Sequence, residues 1–491
     1  MKNANDMNLD RLFNPNSIVM IGASANPRKW GFIILLNILK GNYIGKVYPV
    51  NPKEKSILGY KCYPKVADIP ETVDLAIITT PANVVPPLID ECGEKGIPFG
   101  IVVTSDFSET GPEGAALERD VVARAEKYGI RLVGPNSMGI FSSMTKLHAQ
   151  MPPLMPLNGD ISMFSQSGNL GVQMLGWGAE EGVGFEKFVS SGNEGDLNCV
   201  DYLRYFGQDK DTKVILGYLE GIDPGMELFP VARKISRKKP IIVFKGGRTD
   251  SGGRAAATHT GAMAGESKIF KSALRQAGML EVKTSQALLD CARAFANCPI
   301  PRGNRIGIIT RGGGWGVITV DACEENGLVI PPLPGKIIKK MDEFLPKYWS
   351  RGNPVDLVAT ISHDPYLDCL ELLANWDGID AVIALGAGRR TPKYTYSKEV
   401  TGPQPLVDAI HMVEQYFKDR AQRRDWMLEG IGKLIKQTGK PIIVVSIGPE
   451  ALHRSNLYEF QVVSYPTPER AVRVLRQMYK YRRFLDSLKE S

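Results

Sequence analysis

Histidine is scarce in this 491-residue chain: His148, His259, His363, His411 and His453 are its 5 copies. A lone histidine is more often structural than catalytic. His259, however, lies in Gly246-Gly-Arg-Thr-Asp-Ser-Gly-Gly-Arg-Ala-Ala-Ala-Thr-His-Thr-Gly261, a run of small residues that cannot build a hydrophobic core and reads as a mobile loop. An imidazole on such a loop suits a swinging carrier of a phosphoryl group. That chemistry needs a ring nitrogen as nucleophile, a partner that orients the other nitrogen, and fixed donors for a doubly charged group.

Glu220 ends the apolar run Val214-Ile-Leu-Gly-Tyr-Leu-Glu-Gly221. It offers a carboxylate at the carboxyl end of a strand, where sites in α/β sheets collect, although a glutamate there is also an ordinary helix cap. Two further strand ends carry donors. Phe164-Ser-Gln-Ser-Gly-Asn169 opens a helix, and Ser190-Ser-Gly-Asn-Glu194 follows the next strand. Free N–H groups at a helix start attract phosphate, which nominates Ser167, Gly168 and Asn193. Helix capping by Ser and Asn accounts for each motif singly and poorly for all together.

Near the start, Gly22-Ala-Ser-Ala-Asn-Pro-Arg-Lys-Trp-Gly31 is a small-residue turn between an apolar strand and a helix, the arrangement that holds a nucleotide pyrophosphate. The Gly-x-Gly-x-x-Gly fingerprint is absent. Val50-Asn-Pro-Lys53 puts a cation where a ribose-binding carboxylate would sit, which opposes a nicotinamide dinucleotide. A lysine there suits coenzyme A, with its 3′-phosphate and pyrophosphate, and equally suits a plain surface turn.

The elements that must position these residues alternate. Apolar runs at 17–21, 46–50, 74–78, 99–104 and 131–133 are separated by helical stretches, giving a parallel α/β unit over 9–144. Runs at 160–164, 185–189, 213–219 and 240–245, with helices over 267–277 and 285–296, give a second unit over 147–298. The Pro- and Gly-bearing segment 297–303 separates a third, 303–488, with runs at 305–310, 381–385 and 441–446 and a final helix over 468–488. The polar stretch 386–440 interrupts its rhythm, with 409–436 helical. A length of 491 residues fits about three domains.

Hydrophobic residues make up 43% and charged residues 23%, ordinary for globular protein. The net charge of +7 is spread too diffusely for nucleic acid. No apolar run approaches the roughly 20 residues that span a bilayer. The 7 cysteines are scattered without a Cys-x-x-Cys pair, so reduced, buried thiols in a cytoplasmic protein are expected.

Taken in order, Gly22-Ala-Ser, Val50-Asn-Pro-Lys53, Thr79-Thr-Pro-Ala82 and Gly134-Pro-Asn-Ser-Met-Gly139 resemble the CoA-binding domain of the succinyl-CoA synthetase superfamily. The resemblance assigns Gly22, Ala23, Ser24, Asn51, Pro52, Lys53, Thr80, Pro81 and Asn136 to coenzyme A. Where that family has Gly before Phe, this chain has Asp106 before Phe107. The Ser-Gln-Ser-Gly, Ser-Gly-Asn, Glu220 and Thr-His-Thr-Gly motifs are similar to those of ADP-forming acetyl-CoA synthetase α subunits. So are Ile309-Thr-Arg-Gly-Gly-Gly-Trp-Gly316 and Asn353-Pro-Val-Asp356, with Arg311 and Trp315 departing from the pattern.

The resemblance implies a Rossmann-like CoA-binding domain followed by two flavodoxin-like α/β domains. It implies that His259 takes the phosphoryl group, that Glu220 steadies the phosphohistidine, and that Ser167, Gly168 and Asn193 hold phosphate or acyl phosphate. Nothing in this chain resembles an ATP-grasp domain or a phosphate-binding Gly-x-x-x-x-Gly-Lys-Ser/Thr loop. The resemblance therefore implies a separate ATP-grasp β subunit in a heterotetramer, carrying ATP or ADP and Mg, and a small carboxylic acid as substrate. Two readings compete: a nicotinamide-dependent dehydrogenase, opposed by the missing fingerprint, and a non-catalytic CoA-binding regulatory module, opposed by the pairing of His259 with Glu220.

Overall fold

The apolar runs become three sheets that wind alike. The computed structural model describes residues 8–221, 227–254, 267–358, 365–387, 403–446 and 462–489, and divides into two units, Met1–Ala292 and Arg293–Ser491. In the first sheet the spatial order is Lys46–Val50, Ser17–Ile21, Leu75–Ile78, Phe99–Val102, Arg131–Val133, all parallel. Ser17–Ile21 is buried along its whole length, as a parallel strand covered on both faces must be. Helices Trp30–Lys40, Val85–Glu94 and Pro112–Tyr128 make the crossovers.

The parallel part of the second sheet runs Leu280–Val282, Ile241–Lys245, Val214–Leu219, Leu157–Ser165, Gly184–Ser190. The third runs Val355–Asp356, Ile306–Thr310, Ala381–Leu385, Ile442–Val445, Val463–Tyr465. In each sheet the chain lays its second strand on one side of the first and its third strand on the other. The winding direction therefore reverses beside the first strand, and the loops there diverge into a crevice beyond the strands' carboxyl ends.

Several edges escaped the sequence reading. Gly139–Ser142 and Leu147–Gln150 form a hairpin that extends the second sheet antiparallel to Gly184–Ser190, so the sequence boundary at residue 144 falls inside one sheet. Leu280–Val282, Val355–Asp356 and Val463–Tyr465 are edge strands of 3, 2 and 3 residues, too short for a period-2 pattern to register. Within 386–440 the helix is longer than expected, Gln404–Thr438, and ends at Gly439 with φ 64°. Its buried residues Met427, Leu428, Ile431, Leu434 and Ile435 recur at helical spacing and anchor its last turns.

In the first unit the two sheets share one core. Phe13 stacks on Tyr205 with centroids 5.1 Å apart, and the Tyr205 hydroxyl donates to Asp10 at 2.9 Å. Arg131 meets Asp196 at 2.8 Å, and the Leu132 N–H donates to the same carboxylate at 2.7 Å. Inside the second sheet, the fully buried Lys187 ammonium lies 3.0 Å from Glu186 and 2.9 Å from Asp209.

Removing one member of such a buried group strands its partners in low dielectric. Lys187→Met is expected to destabilise the chain by about 3–5 kcal/mol, read as a lowered unfolding midpoint in calorimetry. Lys213→Met, whose pairing with Asp160 is made by a 64% exposed side chain, is expected to leave that midpoint nearly unchanged.

Candidate functional site

The crevice of the first sheet lies between the ends of Ser17–Ile21 and Leu75–Ile78. Gly22 leaves the first strand at φ 85°, a left-handed conformation that favours glycine. A Cβ at Gly31 would sit 2.1 Å from the Gly22 carbonyl oxygen, so the helix that starts there packs directly on the turn. The Thr79 hydroxyl donates to the carbonyls of Ile21 and Gly22, each at 3.2 Å, and holds the turn from the opposite side of the crevice. Asn51 donates its amide to the Ala23 carbonyl at 2.7 Å and accepts from the Lys53 N–H at 2.9 Å. Ser24 accepts from the Asn26 N–H at 3.1 Å. Pro52 and Lys53 are exposed on the resulting turn, as are Arg28 and Lys29.

The residues present fit a phosphorylated adenosine carrier. Exposed cations flank a glycine turn with helix N–H groups behind it. The Thr80 hydroxyl is buried without a hydrogen-bond partner among the described residues, a polar atom available to a ligand. Pro81 follows and leads into the short turn Ala82–Val84.

A chain of hydrogen bonds runs from this crevice to the second sheet. Thr104 donates its hydroxyl to the Thr80 carbonyl at 2.6 Å, and the Asn136 N–H donates to the Thr104 carbonyl at 2.9 Å. Asn136, at φ 60° after a cis Gly134–Pro135 bond, donates its side-chain amide to Asn193 Oδ1 at 3.3 Å. The Asn193 N–H donates to the Pro135 carbonyl at 2.9 Å. Its side-chain nitrogen lies 3.1 Å from Ser108 Oγ, 2.6 Å from Glu109 and 2.9 Å from Glu118. The amide of Asn193, a residue expected to hold phosphate, is thus engaged with the loop 106–118 and with Asn136 and joins the two sheets.

That lock also explains Asp106, which stands where a glycine is expected. Its φ of 74° is the glycine-favouring region, and its N–H donates to Glu109 Oε1 at 2.8 Å, which turns Glu109 toward Asn193.

In the second sheet the crevice lies between the ends of Leu157–Ser165 and Val214–Leu219. Ser167 is the N-cap of Gly168–Glu180 and makes no side-chain cap bond. Its carbonyl accepts from Ser165 Oγ at 2.7 Å. Met138 packs where a Cβ on Gly168 would lie, 2.6 Å away, so the helix start abuts the turn after the first sheet. Glu220 stands at the neighbouring strand end. The Tyr218 hydroxyl faces its carboxylate, and burial followed by that negative charge raises the Tyr218 pKa. Lys245 donates its ammonium to the Glu220 carbonyl at 2.6 Å, and burial lowers its pKa against the raising effect of Glu220.

The stretch toward His259 leaves from this spot. The Gly246 N–H donates to the Leu219 carbonyl at 2.8 Å. A Cβ on Gly246 would lie 2.6 Å from the Tyr218 hydroxyl and 3.6 Å from Glu220 Cγ, so only glycine passes here without displacing them. Asp250–Arg254 is helical, capped by Thr249 Oγ1, which accepts from the Gly252 N–H at 3.1 Å. The sequence reading had this part as loop. His259 itself lies outside the described residues.

Sequence reasoning assigned no role to Gln166, the residue that joins these parts. Its Oε1 accepts from the N–H groups of Glu220 at 2.6 Å and Gly221 at 3.2 Å, and its Nε2 donates to the Gly221 carbonyl at 3.0 Å and to Glu194 Oε2 at 3.2 Å. Tyr218 and Lys245 went unnoticed as well. Their signal was position alone: each is at or next to the carboxyl end of a parallel strand.

Comparison with known proteins agrees with this geometry. Residues 16–143 match the family model of a CoA binding domain, 158–295 a succinyl-CoA ligase like flavodoxin domain, and 306–388 a ligase-CoA domain. The chain is 36% identical over 492 residues to the acetate–CoA ligase [ADP-forming] I subunit alpha of Pyrococcus furiosus, covering 99% of this chain and 100% of that one. It is 34% identical to the 4-hydroxybutyrate–CoA ligase [ADP-forming] of Nitrosopumilus maritimus over 79% of this chain and 56% of that protein. Among solved structures, the dinucleotide-forming acetyl-coenzyme A synthetase 1 of Ca. Korarchaeum cryptofilum, in complex with phosphate and ADP, superposes with a TM-score of 0.84 at 37% identity, covering 98% of this chain and 99% of that one. Matched over 99% of its length at 36% identity by an α subunit, the chain belongs to the family of ADP-forming acetate–CoA ligase α subunits.

Proposed function

We propose that this chain is the CoA-binding, phosphoryl-carrying subunit of an ADP-forming acyl-CoA synthetase, interconverting acid, CoA and ATP with acyl-CoA, ADP and phosphate. In the ATP-forming direction, phosphate attacks the thioester carbonyl of acyl-CoA, giving acyl phosphate and the free thiol of CoA. The His259 imidazole then attacks the phosphorus of acyl phosphate; the P–O bond to the acyl group breaks, and the carboxylate leaves as the acid. Phosphohistidine finally yields its phosphoryl group to ADP, regenerating neutral imidazole and giving ATP. The observation that carries this reading is the departure of Gly246, which begins the stretch toward His259, from beside Glu220 at the carboxyl ends of the second sheet's strands.

Each residue then has a task. Gly22, Ala23, Ser24, Asn51, Pro52, Lys53, Thr80 and Pro81 line the CoA crevice, and Asn136 ties it to the second sheet. Ser167, Gly168 and the helix N–H groups behind them hold phosphate or acyl phosphate by fixed donors. Glu220 accepts from the imidazole N–H opposite the phosphorylated nitrogen and steadies the phosphohistidine. A covalent carrier lets two substrates use separate pockets. The nucleotide pocket, with its Mg, belongs in our reading to an ATP-grasp β subunit in a heterotetramer, a view supported by the relatives named subunit alpha. A small carboxylic acid as substrate is supported by relatives named for acetate and 4-hydroxybutyrate. Seven free, buried cysteines and the absence of any membrane-length apolar helix among the described residues support a cytoplasmic setting.

The test is phosphate transfer from acetyl phosphate to the purified chain, followed by intact mass and acid lability. Wild type is expected to gain a base-stable, acid-labile phosphate and His259→Ala none. Glu220→Gln, which weakens a charge-assisted hydrogen bond, is expected to slow labelling by about 10- to 100-fold. Equal labelling of wild type and His259→Ala overturns the carrier, and no labelling with CoA binding intact favours a regulatory CoA module.

A second expectation concerns the CoA crevice. Gly31→Val would drive a side chain into the Gly22 carbonyl, 2.1 Å from the nearest Cβ position. CoA affinity by titration calorimetry is expected to fall by about 10-fold or more, while acetyl phosphate labelling of His259 persists.

A further inference from the structure

Glu194 is a carboxylate for which neither motif nor mechanism supplies a task. It sits at φ 57° after the strand Gly184–Ser190, a conformation that a non-glycine residue adopts only when its surroundings enforce it. Its Oε2 accepts from Gln166 at 3.2 Å. Its Oε1 is buried, and the Ser191 hydroxyl beside the carboxylate also reaches the Ser165 carbonyl at 3.2 Å. Glu194, Gln166 and Glu220 occupy the carboxyl ends of three neighbouring strands, in that order across the sheet.

The Gln166 carboxamide is thereby held in one sense. A carboxamide can flip, exchanging donor for acceptor at almost no change of shape. Here Oε1 must face the Glu220 and Gly221 N–H groups, and Nε2 must face an acceptor; the side-chain acceptor is Glu194, an acceptor-only group when ionised. A flip would set Nε2 against two N–H donors and Oε1 against a carboxylate oxygen. The sense of Gln166 thus fixes the backbone that carries Glu220.

We propose that Glu194 is a positioning residue that, through the Gln166 carboxamide, sets the backbone of Glu220 and Gly221 and so the placement of the carboxylate offered to the phosphorylated imidazole. This deepens the proposed function and rests on it for the role of Glu220. Burial, partly offset by Ser191, Gln166 and the Cys199 backbone, raises the Glu194 pKa to about 7, and Asp201 adds to the rise. The other titratable groups that feel its charge, Cys199 and Tyr202, are both pushed well above their ordinary values by burial and stay neutral there. Arg131 is paired with Asp196. Among the described groups around it, ionisation near neutrality therefore belongs to Glu194, and the ionised form accepts more strongly from Gln166. Protection of the Glu220–Gly221 amides should therefore rise with pH through about 7.

The experiment compares wild type, Glu194→Gln and Glu194→Ala in two readouts: the acetyl phosphate labelling rate, and protection of the Glu220–Gly221 amides from hydrogen exchange between about pH 5.5 and 8.5. Glu194→Gln keeps an acceptor oxygen without a charge. It is expected to retain amide protection, to label within about threefold of wild type, and to lose the change of amide protection with pH near 7. Glu194→Ala is expected to lose about tenfold or more in both amide protection and labelling rate, with CoA affinity unchanged. Unaltered amide protection in Glu194→Ala overturns the proposal whether or not the chain labels at all. A wild-type pH dependence of amide protection that survives in Glu194→Gln overturns it as well. Loss of labelling in wild type, with amide protection changing as expected, rejects the carrier reading and leaves the positioning of the 220–221 backbone standing.

Discussion

The site depends on one close contact between two turns. Gly192, at φ 62°, passes so near the 134–136 turn that a Cβ would lie 2.1 Å from the Pro135 carbonyl oxygen. Around it the Asn193 and Gly195 N–H groups donate to the Pro135 and Gly134 carbonyls at 2.9 and 3.0 Å. Any side chain at 192 would part the turns and break these bonds. With them would go the Thr80, Thr104, Asn136, Asn193 series that joins the CoA crevice to the second sheet. Two carboxylates, Glu109 and Glu118, each lend one oxygen to the same asparagine amide, a charge-assisted pairing.

Transfer between two crevices requires that their separation be fixed, because a misplacement of about 1 Å can cost 10²-fold in rate. The shared core around Phe13, Tyr205 and Phe206 supplies bulk rigidity but no directional register. Register comes from the polar contacts, Arg131 with Asp196 and Asn136 with Asn193, which are satisfied at only one relative placement of the two sheets. Hydrophobic burial makes the first unit stable; hydrogen bonds make its two crevices commensurate.

The strands nearest the site were legible in the sequence because buried parallel strands are continuous apolar runs. Ser17–Ile21 and Ala381–Leu385 need no alternation to be found. Glu220 was legible for the same reason: it is the first polar residue after such a run. The committed role of Asn193 was not legible, since its partners Ser108, Glu109 and Glu118 lie 75 to 85 residues away in the chain. Nor was the hairpin Gly139–Ser142 and Leu147–Gln150, whose register is set by pairing with Gly184–Ser190 and not by its own four-residue strands. Local pattern reports what a segment buries; it is silent on which distant carboxylate orients an amide.

The same distinction bears on how Glu220 would steady a phosphorylated His259 in the proposed reaction. An imidazole bound to a doubly charged phosphoryl group gains from a carboxylate only if that carboxylate is fixed before the group arrives, since a mobile one would recoil from the phosphate charge and take up water. Glu220 is held from three sides: by Gln166 at its N–H, by Lys245 at its carbonyl and by the Tyr218 hydroxyl facing its carboxylate. Lys245 is the one cation among these, and it donates to the backbone carbonyl of Glu220. Gln166 and Lys245 thus order the backbone that carries the Glu220 carboxylate, so the direction in which the carboxylate is offered is set by neighbours in the fold before any phosphoryl group arrives.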